Sequence, residues 1–323
     1  MASIVVKVKQ ILSSTRQLPL VKQIIDFATR VKLPGFEGLP LFDVGVFFFR
    51  RFKEGELQTR ARSLSFSFFL ALFPAIIFLF TLIPYIPLEN FQDTLLEMIK
   101  AFLPANTYEA AHTTIEDIIR HQRSGLLSFG FFLALFISAE GVLELMRWFN
   151  KSFHGKMIRS NFKQRLVAIF LTISLASLVI LAIGLIISGE VLSYYLVQKT
   201  LIKNNFNIVL LQIGKWIILL ALCFTAISLL YFAGPSHRQQ LRFITAGSSL
   251  ATLLIVLTSI GFNFYITHFA GYNKVYGSIG TLMIILVWLY FNSLVLLIGF
   301  ELNVAIHRAK THQGEILKKK ILH

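Results

Sequence analysis

The chain has 323 residues, 55% of them hydrophobic, and a mean hydropathy of +0.70. This composition excludes an ordinary soluble domain, and several apolar runs exceed the ~18 residues that mark a membrane-spanning helix. The formal net charge is +15. The single cysteine, Cys223, lies in an apolar run, and one cysteine cannot form an internal disulfide.

Residues 1–62 carry eleven Lys and Arg against five Asp and Glu. Their apolar residues recur at helical spacing, and the cationic residues lie opposite: Leu18, Val21, Ile24, Ile25, Ala28 and Val31 against Lys22, Arg30 and Lys32. This pattern predicts an amphipathic helix that lies on an anionic membrane face or packs on the rest of the protein. An aromatic stretch, Phe42 to Phe52, predicts an elbow into the first membrane span.

Six apolar runs are each long enough to cross a ~30 Å hydrocarbon layer at ~1.5 Å per residue. We place them near 63–83, 126–146, 166–189, 208–232, 243–266 and 279–300. Pro84 and Pro87 end the first run, and a turn from Ala270 to Ser278 is predicted between the last two. The expected fold is therefore an all-α polytopic membrane protein, with a transmembrane domain over 63–303 and a basic tail over 304–323.

The segment 84–124 differs from the other loops, because it holds six acids and three Lys and Arg. Two short helical patterns occur in it: Phe91, Leu95, Leu96 and Ile99, and then Tyr108, Ala111, Ile115 and Ile118. We predict a small helical loop on the extracytoplasmic side.

The distribution of basic residues predicts the orientation. The two terminal regions and the even-numbered loops carry 24 Lys and Arg, and the odd-numbered loops carry 6. By the positive-inside rule, both termini are cytoplasmic. This rule explains the charge better than a nucleic-acid surface, which normally belongs to a recognisable soluble module.

Glu140 and Glu144 are the most informative residues, because an ionisable group inside a bilayer costs at least ~2.5 kcal/mol and is rarely left unpaired. They lie four residues apart on one helix face. Glu144 is expected near the interface, either paired with Arg147 or touching headgroups. Glu140 is expected nearer the midplane, as a coupling acid or substrate contact, or else as a buried structural hydrogen-bonding group.

Glu301 follows the sixth run and is expected at the level of Glu144 and Arg147, either in a cluster with them or paired with the loop 147–165. Asn263 and Asn292 are embedded amides, which either join helices or line a cavity. Lys151 and Arg159, in the most basic loop, are candidates for contact with anionic headgroups.

Signatures of soluble enzymes are missing from the sequence. The eight histidines are scattered, and neither a His-Glu-x-x-His motif, a phosphate-binding glycine loop nor a Cys-x-x-Cys pair occurs. We therefore expect no catalytic residues, no metal and no cofactor.

Several motifs resemble the YihY/BrkB family of inner membrane proteins. They are the run Ala61 to Pro74, Asn150, Pro235, and above all Tyr276 to Gly280, Leu286 to Tyr290 and Gly299 to Asn303. The match runs in order over about Phe42 to Ala305. Phe66 stands where members often have tyrosine, and the amino-terminal extension lies outside the match.

The resemblance implies a bacterial plasma-membrane protein with about six spans, of a family labelled virulence factor or, by misassignment, ribonuclease BN. It also implies transport or flipping of lipid-like or other solutes. We hypothesise a non-enzymatic transporter or flippase-like protein that moves an anionic amphipathic molecule along a seam of spans two and six. Its partners would be membrane lipids, with homo-oligomer formation left open. The alternatives are a structural membrane protein and, third, a membrane-bound nuclease.

Overall fold

The computed structural model describes most of the chain. The described residues are 19–31, 35–53, 56–82, 124–152, 159–198, 205–236, 242–268 and 271–321, with isolated residues between 93 and 117. Over these ranges the fold is helical, which confirms the predicted all-α class.

Two shorter helices precede the long ones. Their bounds are α1 Pro19–Arg30 and α2 Leu41–Lys53. The long helices are α3 Glu56–Leu82, α4 Ser124–Ser152, α5 Asn161–Gln198, α6 Asn205–Ala233, α7 Ala246–His268 and α8 Gly271–Ile321.

The long helices form a ring in chain order. Each of α3 to α7 packs against the next helix along the chain, and α8 returns to pack against α3. Helices α4 and α8 are not neighbours in this order but also contact each other, so no central space remains where they meet. From α4 to α8 this arrangement follows from the sequence, because short connections place consecutive antiparallel helices side by side.

Five described helices are long and apolar enough to cross a membrane: Ser128–Ser152, Asn161–Ile186, Gln212–Ala233, Ala246–Thr267 and Leu282–His312. They coincide with the second to sixth predicted spans. The first predicted span coincides with α3, which begins earlier than predicted and carries Glu56, Arg60 and Arg62 in its first turns.

The predicted turn between the last two spans is wrong over its described residues. The chain is already helical at Gly271, and α8 continues for 51 residues, or ~75 Å. No proline interrupts this stretch, and glycines such as Gly277 are tolerated within membrane helices. The carboxyl-terminal part of α8 therefore continues far past the apolar run, through the segment predicted as a tail.

The projecting part of α8 packs against the amino-terminal helices. Side chains from the two regions form one buried apolar cluster: Phe36, Leu39, Val44, Leu302, Ala305, Ile306 and Ala309. Helix α1, which confirms the predicted helix, packs on α2, and its Phe27 is 67% exposed.

In the segment 84–124, described residues such as Asp93, Leu96 and Tyr108 are helical, and Leu96 is buried. The rest of that segment lies outside the described residues.

Hydrogen bonds define one end of the bundle. Arg60 joins the start of α3 to Ser152 at the end of α4, and Arg159, just before α5, donates to the end of α6. A further bond joins the start of α7 to the middle of α8. We call this end, where Arg60, Lys151 and Arg159 lie, the basic end. It is tightly packed, with large side chains that are at most 1% exposed: Leu64, Leu145, Met146, Phe149, Tyr231 and Phe300.

The opposite end is loosely packed over the described residues. Every residue of α7 from 259 to 267 except Phe262 is exposed, whereas α5 between 176 and 186 is exposed except for a partly buried stripe at 178, 182 and 185. A helix that merely faces lipid exposes one stripe and buries the other. Over these residues α7 therefore lacks close neighbours on its inner as well as its outer face, and the described part of the ring is closed at one end and more open at the other.

Candidate functional site

Three aromatic rings fill the centre of the bundle at the basic end. Phe149 of α4 stacks on Phe300 of α8, with ring centroids 3.8 Å apart, and Tyr231 of α6 meets both rings edge-on at 5.6 and 5.5 Å. The Tyr231 hydroxyl donates a 2.6 Å hydrogen bond to the Leu296 carbonyl. Since the three rings are fully buried, we call them the aromatic plug, and they close the ring of helices at this level.

A buried ion pair lies beside the aromatic plug. Arg60 of α3 is 4% exposed and Glu301 of α8 is 2% exposed, and Arg60 Nη1 lies 3.2 Å from Glu301 Oε1. The same guanidinium nitrogen donates to Ser152 Oγ at 3.0 Å, and Ser152 Oγ lies 2.6 Å from Glu301 Oε1. Buried charges persist only when they are paired and hydrogen-bonded. The contacts therefore tie α3, α4 and α8 together at one point.

The ion pair continues outward into a half-exposed rim. Arg60 Nη2 donates to Glu56, whose carboxylate also lies 3.5 Å from Lys151 Nζ. Arg60 and Lys151 each lie 5.2 Å from the centroid of the Trp148 ring. The hydrogen bond from Arg60 holds the pKa of Glu56 below its usual value. Arg308 Nη2 adds a 2.8 Å hydrogen bond to the Ser152 carbonyl.

Helices α7 and α8 approach closely at two glycines. A Cβ on Gly247 would lie 2.1 Å from the Gly299 carbonyl, and a Cβ on Gly299 would lie 2.6 Å from the Tyr231 hydroxyl. Asn303 Oδ1 accepts a 2.8 Å hydrogen bond from the Gly247 backbone, and its Nδ2 donates to Thr245. Glycine permits this backbone contact, as small residues commonly do between membrane helices.

Glu140, Glu144 and Arg147 belong to a second ionic network, on the outside of the bundle. Glu140 lies 2.9 Å from Arg165 and 3.5 Å from Arg147, and Arg147 lies 3.1 Å from Glu144. Glu144 also accepts a 3.2 Å hydrogen bond from Ser63. The predicted pairing of Glu144 with Arg147 is thus present. The Glu140 side chain is 44% exposed and meets two arginines, so it is not an isolated buried carboxylate.

The other predicted site residues lie apart from this network and from one another. Asn292 Nδ2 donates to the Trp288 carbonyl of its own helix, and Asn263 is exposed. Counted from the Gly247–Gly299 contact, the two asparagines are ~13 Å apart along the helix axes. Arg159, predicted to touch headgroups, donates to the carbonyls of Ala233 and Gly234 at the end of α6.

Sequence reasoning missed Arg60, Ser152 and the aromatic plug. Arg60 was counted among the basic residues before the first span, because its burial depends on α3 beginning at Glu56. The i to i+4 spacing of Glu56 and Arg60 was an available signal of helix at this point. Phe149 and Tyr231 carried no signal, since aromatic residues are frequent throughout this chain.

No group of three or more His, Cys, Asp or Glu side chains converges among the residues that the structure describes. The carboxylates at the basic end, which are the groups there that could bind a metal ion, are already paired with Arg and Lys. The chemistry available there is ionic and hydrogen-bonding.

The fold and site define a multi-pass, all-α membrane protein. The model of the Virulence factor BrkB family matches residues 48–321, and the chain belongs to this family. The match includes every residue of the aromatic plug and of the buried ion pair.

Curated relatives agree with this assignment. The chain is 30% identical to the ribonuclease-like protein YfkH of Bacillus subtilis, over 81% of this chain and 94% of that protein. It is 29% identical to a UPF0761 membrane protein of Chromohalobacter salexigens, over 78% of this chain but 60% of that longer protein. A UPF0761 membrane protein of Vibrio campbellii is 27% identical over 80% of each chain. No solved structure matches.

Proposed function

We propose that the protein is a transporter or flippase-like protein of the bacterial inner membrane, with its basic end in the cytoplasm and a closed gate at that end. The observation that carries the proposal is the difference in packing between the two ends of the ring. A structural membrane bundle has no need for a helix that is exposed on all sides at one end, as α7 is from 259 to 267. A protein that alternates between a state open at one end and a state open at the other does need such a helix, because its substrate must enter between the helices.

The aromatic plug and the Arg60–Glu301 pair form the proposed gate. They join α3, α4, α6 and α8 through stacked rings, an ion pair and one side-chain hydrogen bond to the Leu296 carbonyl. Such contacts can break and re-form as helices tilt, since each is a discrete packing arrangement. The predicted seam of the second and sixth spans corresponds to α4 and α8, which meet at the Phe149–Phe300 stack.

The proposed substrate is anionic and amphipathic. Exposed apolar side chains occur at the open end, among them Phe132, Ile180 and Phe264, and they suit acyl or aromatic groups. The cations Arg60 and Lys151 at the gate suit an anionic head. Geometry favours Glu301 over Glu140 as the gating carboxylate, because Glu301 is enclosed and Glu140 lies in the outer ionic network. Glu140 stays a candidate for proton coupling.

Translocation of fluorescent phospholipids in proteoliposomes tests the proposal. Tyr231→Phe removes the hydrogen bond to Leu296 while keeping the ring, and Glu301→Gln removes the charge that faces Arg60. We expect both variants to raise the downhill rate at least threefold, because each weakens the closed gate. Glu144→Gln is the matched control, as it removes an acid from the outer network.

Two further outcomes are informative. Proton coupling through Glu140 predicts a rate that depends on pH in the wild type and is independent of pH in Glu140→Gln. An absence of translocation of phospholipids and of anionic amphiphiles by folded wild type and folded Tyr231→Phe would contradict the proposal. A structural role would then be the better account.

A further inference from the structure

The rim of the gate contains two buried N–H groups with no hydrogen-bond partner among the described residues: Arg60 Nε and the indole Nε1 of Trp148. A buried donor left unpaired costs ~1–3 kcal/mol, and more when the group is charged. Arg60 is 4% exposed, and its guanidinium lies 5.2 Å from the centroid of the Trp148 ring. The two unpaired donors thus belong to side chains in direct contact.

Among the residues that the structure describes, cations outnumber acids around these donors. Arg60, Lys151 and Arg308 contribute three positive charges, and Glu301 and Glu56 contribute two negative ones. Glu301 is held by Arg60 and Ser152 on the buried side. Glu56 is on the exposed side, where its side chain is 51% exposed while it contacts both Arg60 and Lys151.

Glu56 therefore occupies the position that an external anion would take. Its carboxylate reaches the two cations that lie over the Trp148 ring, and it can swing away because it is in the first turn of α3. A phosphate group offers more acceptor oxygens than a carboxylate, enough to meet the Arg60 fork and Lys151 together.

We propose that Arg60, Lys151 and Trp148 form a binding site for a phosphate-bearing head group, and that Glu56 is a built-in competitor which occupies the site when no ligand is bound. A bound phosphate offers more acceptor oxygens than Glu56, so it would compete with Glu301 for Arg60 and weaken the buried pair. The role in gating rests on the proposed function, whereas binding itself does not require transport.

Trp148 provides a direct measurement of binding. The chain has three tryptophans, and Trp216 and Trp288 are 65% and 40% exposed, so Trp216→Phe and Trp288→Phe leave Trp148 as the only indole. The purified full chain is titrated in a nonionic detergent with inorganic phosphate, with a short-chain phosphatidylglycerol, or with the matching diacylglycerol that lacks phosphate. Saturable change in Trp148 emission with a phosphate-bearing probe is the expected result.

Two exposed positions test the assignment without disturbing the buried pair. Lys151→Gln is expected to weaken binding at least tenfold, and Glu56→Gln to strengthen it at least threefold, because the competitor loses its charge. Lys163→Gln and Asp26→Asn are the matched controls, since both side chains are exposed and lie outside the gate. The controls should change affinity less than twofold.

The probes also separate the sources of the ligand. If inorganic phosphate binds as tightly as the lipid, the natural ligand is a soluble phosphate compound. If only phosphatidylglycerol saturates the site, the natural ligand is a lipid head group. The inference is overturned if no phosphate-bearing probe changes Trp148 emission, if the diacylglycerol acts equally well, or if Lys151→Gln behaves like Lys163→Gln. Binding without translocation in proteoliposomes would contradict the proposed function and leave the site standing.

Discussion

Gly247 and Gly299 set the distance between α7 and α8 at the point where α8 also receives Tyr231. A methyl group at either position would overlap backbone or hydroxyl oxygen atoms. A change at Gly299 would also affect the gate, because Gly299 immediately precedes Phe300 of the aromatic plug.

Substitution of these glycines should separate the two helices. We expect Gly247→Ala and Gly299→Ala each to destabilise the protein by ~1–3 kcal/mol, the usual cost of overpacking. Gly261→Ala, on the exposed part of α7, has open space around its Cβ and is the control. Thermal unfolding in detergent can be followed with a thiol-reactive dye, because Cys223 is the only thiol and is partly buried. Equal melting temperatures for all three variants would contradict the close contact.

The Arg60–Glu301 pair should behave as a buried ion pair and the outer network as a surface one. Removing one buried partner, as in Arg60→Met or Glu301→Leu, is expected to cost ~3–5 kcal/mol, because it leaves an uncompensated charge. Removing both should recover part of that loss. Arg147→Ala is expected to cost less than ~1 kcal/mol, since the Arg147 side chain is 48% exposed. A double variant no more stable than either single variant would show that the two charges are not coupled.

Among the elements, α2 and the end of α8 form a unit of their own. The loop before α2 carries Glu37, which hydrogen-bonds to Lys310 of α8 and lies 4.0 Å from Arg242. The Lys310 hydrogen bond is the main reason that the pKa of Glu37 is lower than its ordinary value, and electrostatic interactions with Lys310, Arg242 and His307 act in the same direction.

The lowered pKa gives this attachment a pH dependence. Because the folded-state pKa is depressed, the stabilisation is complete above the ordinary value of 4.5 and is lost as the pH falls through the folded-state pKa. We expect amide hydrogen exchange in α2 to increase below pH 4.5 relative to the bundle core. In Glu37→Gln, exchange should already be raised at pH 7, and its remaining pH dependence should be smaller. An identical pH profile in wild type and variant would assign the effect to another group.

For the whole molecule, the sequence predicted the class of fold and the number of long helices well. The apolar runs are long, and the hydrophobic thickness of a bilayer restricts how they can be arranged. The continuous helix from Gly271 was predicted less well, because glycine and asparagine usually signal turns in water and are tolerated in membrane helices.

The candidate site was only partly predictable. Glu140 and Glu144 stood out because charges within apolar runs are rare, and the structure pairs both with arginines on the outside of the bundle. Arg60 and Ser152 are part of the gate through tertiary contacts over 92 and 241 positions of sequence, which no local pattern encodes. Which helices pack around Arg60 and Ser152 determines whether they are buried, and the amino-acid composition does not predict it.

The measurement that tests the account most directly is water accessibility along α5 and at the aromatic plug. In a Cys223→Ser background, single cysteines at 179, 180, 181, 182 and 183 cover more than one helical turn of α5, and single cysteines at 146 and 149 sample the closed end. A membrane-impermeant maleimide is added from either side of oriented vesicles. We expect labelling on one face of α5, from the side opposite the basic end, and none at 146 or 149 from either side. Labelling of the plug positions, or of no position on α5, would contradict a bundle that is closed at the basic end and open at the other.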